Sequence, residues 1–254
     1  MRIGFDISAG SFLLTHRVRY RTDCSEIERN IGLALPLGIP SPGLRFPRLY
    51  PPAADRLSVD AFLRQKWGND SVMHMPPCVA VAPGSVWKTK RWPESSYASL
   101  IGSLTVEGWR VVLIGGAGDR DLCARLAAGA APHLIADASG KFSLPGSAEL
   151  IRRCAVLVSN DSAPVHIACA MGVPVVAIFG PTLPSFGFAP IGPRDRVAET
   201  AGLRCRPCST HGGTYCPIGT FECMNQISPI RIRNEVLSLA EKEAEPTGGA
   251  ASER

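Results

Sequence analysis

The sequence predicts an α/β fold built on a parallel sheet, and three observations predict it. From residue 78 onward, short apolar runs alternate with segments of helical period. The runs are apolar throughout rather than alternating with polar residues, as expected of strands covered by helices on both faces. Finally, 155–158, 163–171 and 173–179 read as strand, helix and strand, closing on Gly180-Pro181-Thr182. The helix of that unit opens on small polar residues, Ser159-Asn160-Asp161-Ser162, just past a strand's carboxyl end. Unpaired N–H groups and the positive end of the helix dipole coincide there, so a phosphate-bearing ligand is expected.

In order, 79–82 is a strand and 94–107 a helix with Tyr97, Leu100, Ile101 and Leu104 on one face. A strand at 110–114, a helix at 119–128, a strand at 133–136 and a helix at 147–153 continue the alternation up to the unit described above. The loops 83–91, 115–121, 160–164 and 180–185 all follow strands, so they share the rim where ligands of parallel sheets bind. Before residue 76 the pattern is thinner. Strands are expected at 3–7 and 12–15, a helix at 25–35, and a Pro-rich linker or surface excursion at 36–52. A last helix ends near 239, and the polar, Gly/Ala-rich stretch 240–254 is expected to be a disordered tail.

With 254 residues and 45% hydrophobic side chains, the chain can form one large or two ordinary domains. A net charge of +5 is mild, and the cations are scattered without aromatic interleaving, which argues against a nucleic-acid partner. The longest apolar stretch, 166–181, is broken by Gly172 and Pro174 and is too short to span a bilayer. The first residues carry no signal-peptide pattern, so a cytoplasmic protein is expected. Nine cysteines in such a protein do not suggest a disulfide framework. Cys78, Cys123, Cys154 and Cys169 read as small core residues. Cys205, Cys208, Cys216 and Cys223, with His211 among them, have metal-ligand density. They suit a structural zinc or iron–sulfur centre, and equally a loop of reduced thiols or local disulfides.

Ala82-Pro83-Gly84-Ser85, Lys90-Arg91-Trp92-Pro93, Gly115-Gly116, Asn160-Asp161-Ser162 with His166, and Phe179-Gly180-Pro181-Thr182 come in a telling order. In sequence and spacing, from residue 79 to 229, these blocks resemble glycosyltransferase family 9, the lipopolysaccharide heptosyltransferases. The resemblance implies a GT-B architecture, two Rossmann-like domains facing across a cleft. Residues 76–239 would form a complete C-terminal domain that binds a nucleotide-sugar donor such as ADP-heptose. Residues 1–75 would be an incomplete N-terminal acceptor domain and linker. The implied reaction is inverting transfer of heptose to a lipid-linked saccharide of the lipopolysaccharide inner core, at the inner face of the cytoplasmic membrane. No metal or other cofactor is implied for catalysis. The family's general base lies near the start of the longer family chain and has no counterpart here. Two alternatives follow: a donor-binding module that does not turn over, or another GT-B-like nucleotide-sugar enzyme.

The resemblance also assigns residues. Lys90 takes the donor phosphate and, with Asp161, carries the catalytic role; a solvated lysine in a basic loop is the plainer reading. Asp161 and Ser162 open the phosphate helix, and a simple N-cap would look the same. Ala163 stands where the family usually shows glycine, which narrows the approach of a phosphate. His166 lies one turn on, either donating to a phosphate or serving as a structural histidine. Asp119 is placed to bind a ribose hydroxyl, or to compensate a helix dipole. Ser85 and Thr182 supply rim hydroxyls and Gly146 backbone contacts to the base. Trp92 is expected to be a packing anchor.

Overall fold

The computed structural model describes residues 1–40, 46–68 and 77–244. Its centre is a six-stranded, fully parallel sheet. The strands are β3 (Cys78–Ala82), β4 (Arg110–Leu113), β5 (Ile135–Asp137), β6 (Val156–Asn160), β7 (Val175–Phe179) and β8 (Arg196–Glu199), in the order β5-β4-β3-β6-β7-β8. β3 pairs with β4 on one side (Val79 opposite Val111) and with β6 on the other (Ala80 opposite Leu157). The chain leaves the sheet in opposite directions from β3 and β6, so a crevice opens between their carboxyl ends.

The period-two alternation of strand side chains divides the core. Val79 and Val81 face a layer that holds Tyr97, Leu100, Ile101 and Leu104 of α3 (Glu94–Val106). Cys123 and Leu126 of α4 (Arg120–Ala128) and Val236 of α8 (Pro229–Ala244) complete that layer. Ala80 and Ala82 face the opposite layer, with Leu150 and Ile151 of α5 (Leu144–Arg152) and Val165 and Ala168 of α6 (Ala163–Met171). Val59 and Leu63 of α2 (Ala53–Trp67) join this second layer.

Helix α2 has no counterpart among the elements expected from the sequence. Only Val59 and Leu63 are buried along it, too sparse a stripe to declare a helix. It packs on α5 and is tied there by Arg153 to Asp60 at 2.8 Å and by Ser143 Oγ to Asp55 at 2.6 Å. Residues of α2 thus pack against the sheet's second layer. β8 is also unforeseen, an edge strand bounded by Arg196 and Glu199. A short helix, α7 (Glu222–Asn225), precedes α8.

In the N-terminal portion β1 (Ile3–Phe5) forms where a strand is expected, but residues 12–15 do not form one. Gly10 at φ 75° turns the chain, and the Leu13 and Leu14 amides donate locally to Gly10 and Ser11. The parallel partner, β2 (His16–Val18), begins only after that turn. α1 (Glu26–Gly32) follows with a complete capping box, Ser25 to Glu28. At the other end α8 runs to Ala244, so no tail begins at residue 240; 245–254 lie outside the described residues. No helix among the described residues is long and apolar enough to cross a membrane.

Candidate functional site

Asn160, the last residue of β6, builds the crevice. Fully buried, its Nδ2 donates to the carbonyls of Pro83 (2.9 Å) and Gly84 (3.2 Å). Its Oδ1 accepts from the Trp92 amide (2.9 Å) and the Tyr97 hydroxyl (3.0 Å). One side chain thus pins the loop after β3 and the start of α3 to the end of β6, with every polar atom in use. Sequence reasoning had no means of seeing this, because an asparagine after a strand reads as a turn residue. Trp92 is packing: it is buried edge-to-face on Tyr97 with ring centroids 5.0 Å apart, and its Nε1 donates to Ile227 at 3.1 Å.

Asp161 carries the electrostatics. Its Oδ2 lies 2.6 Å from Lys90 Nζ and accepts from Thr182 Oγ1 at 2.7 Å. Lys90 is 14% exposed and Asp161 7%, so this is an almost dry ion pair. It joins three of the assigned residues, from the loops after β3, β6 and β7. Ser162 occupies the N-cap of α6, but its hydroxyl donates back to the Asn160 carbonyl (3.2 Å) and makes no capping bond. The start of α6 is therefore not closed by a side chain, and Ala163 stands exposed there.

A cleft of about 570 Å³ opens at this rim, walled by Ser85, Asp119, Phe142, Leu144, Ser162 and Ala163 among others. Asp119 Oδ2 accepts from the Gly116 amide at 2.9 Å. A Cβ at Gly84 would meet its carboxyl and one at Gly115 its Cβ, so both glycines admit the close approach of Asp119.

The other assigned residues lie elsewhere. Gly146 is buried in the first turn of α5, its amide bonded to Ser143 Oγ at 3.1 Å, so that donor is not free for a ligand. A Cβ there would meet Phe142 and Asp55 at 3.1 Å, which makes it a packing glycine. His166 points away from the cleft into a second cavity of about 370 Å³ shared with Glu26, Asn30 and Phe188. Burial holds its imidazole below the usual pKa; the nearby Asp161 carboxylate pulls it up and the Lys90 ammonium pushes it down.

The cysteine-bearing loop braces the site. Among the described residues no group of three or more His, Cys, Asp or Glu side chains gathers as a metal site. Cys208 is exposed, Cys223 is buried, and the Cys208 thiol is engaged with the Cys205 carbonyl at 3.0 Å. The loop's backbone makes the useful contacts. The Thr89 amide donates to the Gly213 carbonyl (3.0 Å), and the Gly213 amide donates to Thr89 Oγ1 (2.7 Å), next to Lys90. Arg206 donates to the carbonyls of Thr182 (2.8 Å) and Thr200 (2.6 Å) and to Glu199 Oε2 (2.8 Å).

Comparison with known proteins identifies the family. The family model described as glycosyltransferase family 9 (heptosyltransferase) matches residues 1–217. Lipopolysaccharide heptosyltransferase 2 of Salmonella typhimurium is 30% identical over 226 residues, which is 85% of this chain and 62% of that protein. The Escherichia coli K12 enzyme of the same name is 33% identical over 167 residues, 63% of this chain and 47% of its own length. The solved structure of the E. coli ADP-heptose lipopolysaccharide heptosyltransferase II superimposes with a TM-score of 0.69 at 25% identity, covering 91% of this chain and 66% of that one. A family 9 glycosyltransferase from Veillonella parvula shares the fold, with a TM-score of 0.73 at 21% identity over 90% of this chain and 64% of its own. The chain thus spans less than two thirds of the Salmonella protein's length.

Proposed function

Because this chain belongs to glycosyltransferase family 9, we propose that its cleft binds the nucleotide-sugar donor of a heptosyltransferase, ADP-heptose, for inverting transfer to a lipopolysaccharide inner-core acceptor. The observation that carries the reading is the cleft itself. It lies at the switch point between β3 and β6, with an open helix start on one wall and a carboxylate on another. Asp119 suits a ribose hydroxyl. The α6 start and Lys90 suit the diphosphate, whose charge grows as the sugar–phosphate bond breaks. Fixed dipoles and a cation absorb that charge without a metal in the proposed step. The Asp161–Lys90–Thr182 cluster holds the lysine ready beside the helix start, so that exchange of Asp161 for phosphate is a short movement. His166 sits behind this cluster and is assigned to support it rather than to touch the nucleotide.

Calorimetric titration with ADP, UDP, GDP and ADP-heptose tests the reading. Selective binding of the adenine compounds, weakened by Lys90→Ala in a variant shown to fold, is the expected result. Equal binding of all nucleotides, or of none, overturns it. A narrower reading, a donor-binding unit without transfer, rests on the same cleft. Incubation with ADP-heptose and a heptose-free lipopolysaccharide acceptor separates the two: a mass gain on the acceptor shows transfer, and donor binding without it shows the narrower activity.

A further inference from the structure

The charge in the cleft wall does not sit where the motif placed it. Lys90 is committed to Asp161 at 2.6 Å and is not among the residues lining the cleft. Among the described lining residues the cation is Arg91, and the anion is Asp119. Arg91 is half-buried, and its Nε donates to the Ser85 carbonyl at 2.8 Å, which fixes the guanidinium plane to the loop after β3. Its two terminal nitrogens make no hydrogen bond or ion pair with any described residue. A guanidinium anchored through Nε with its fork unengaged is suited to hold an oxyanion with two parallel hydrogen bonds. Holding it in place already removes much of the rotamer entropy that such binding would otherwise cost.

We infer that Arg91 is a phosphate-binding residue of this cleft, presenting its free fork to the diphosphate of the nucleotide; the inference rests on the donor-site reading above. The neighbouring residues then divide the work. Arg91 and the open start of α6 take the phosphates, Asp119 takes the ribose, and Lys90 stays on Asp161 until the diphosphate arrives. The cleft's opposite charges orient the nucleotide, because the reversed pose would set a phosphate against the Asp119 carboxylate.

The test is calorimetric titration of the wild type, Arg91→Met and Arg91→Lys with ADP, AMP and adenosine, with thermal melting to confirm folding. Arg91→Met is expected to raise the Kd for ADP by about 10- to 100-fold, the usual range for losing hydrogen bonds to a charged group. Arg91→Lys keeps the charge but loses the fork, so an intermediate loss is expected, and adenosine should bind all three proteins alike. If Arg91→Met does not fold, the lysine variant decides by the same contrast between ADP and adenosine. Wild-type binding of ADP with unchanged affinity in the variants overturns the role of Arg91 and leaves the donor site standing. An equal loss for adenosine also overturns it, because Arg91 would then only be shaping the loop. Failure of the wild type to bind ADP at all removes both readings.

Discussion

Replacing Lys90 with methionine should destabilise the fold as well as the site, because its partner would be left charged in a dry place. At 2.6 Å the pair's attraction is about 6 kcal/mol for an effective dielectric near 20. Desolvation of both ions offsets most of that gain, so the intact pair contributes little net stability. Removing one member is different: an uncompensated buried charge typically costs about 3–5 kcal/mol. Asp161 keeps the Thr182 hydroxyl at 2.7 Å, which places the expected loss for Lys90→Met at the lower end, about 3 kcal/mol. Asp161→Asn should cost less, since the Lys90 stem is long enough to turn its ammonium toward water. The double variant should recover about half or more of the summed losses, a coupling of about 2 kcal/mol. Urea unfolding of all four proteins at pH 7.5 measures the cycle. Single losses below about 1 kcal/mol that simply add would refute the claim of a dry, coupled pair.

His166, held below its ordinary pKa by burial, takes up a proton less readily folded than unfolded. Stability is thus fully present above about pH 6.5 and falls as acid drives the pH through the lower folded-state value. His166→Gln should flatten urea midpoints between pH 7.5 and 5.5, and an unchanged slope would contradict the assignment. Arg206→Ala removes a buried guanidinium from two carbonyls and Glu199, with an expected loss of about 3 kcal/mol. Cleavage at the exposed Tyr215 should then accelerate in limited chymotryptic digestion, and an unchanged rate would show that the loop is held by other means. Gly84→Ala forces the Asp119 carboxyl off the Gly116 amide, with an expected cost of about 1–3 kcal/mol and weaker nucleotide binding by calorimetry. Wild-type affinity in that variant would detach Asp119 from the ligand. Tyr97→Phe should cost only about 1 kcal/mol in urea unfolding, because Asn160 Oδ1 keeps the Trp92 amide.

The parallel sheet was legible because its strands are covered on both faces and so read as apolar runs. The β6–α6–β7 unit was legible because small polar residues separate such runs. The 13-residue α3 emerged for the same reason, with Tyr97, Leu100, Ile101 and Leu104 all facing the core. Where burial is thin the signal failed. α2 shows the core two residues of a 15-residue helix, and the edge strand β8 buries Ala198 but not its neighbours. Residues 12–15 misled because apolar side chains there are exposed: Phe12 is 78% accessible, and local turn bonds replaced a ladder.

For the site, the sequence determined which residue types stand at the rim, because a loop that follows a strand must emerge at that edge of a parallel sheet. It could not determine which of them face one another. That Lys90 spends its charge on Asp161, that Asn160 ties three segments together, and that Gly146 and His166 turn away from the cleft all follow from contacts between segments distant in the chain. The cysteine spacing likewise allowed a metal centre, a loop of reduced thiols or local disulfides, and spacing alone says nothing of how near the four thiols come to one another in the fold. Periodicity records which side of an element is buried; pairing between elements is settled by the packing of the whole sheet.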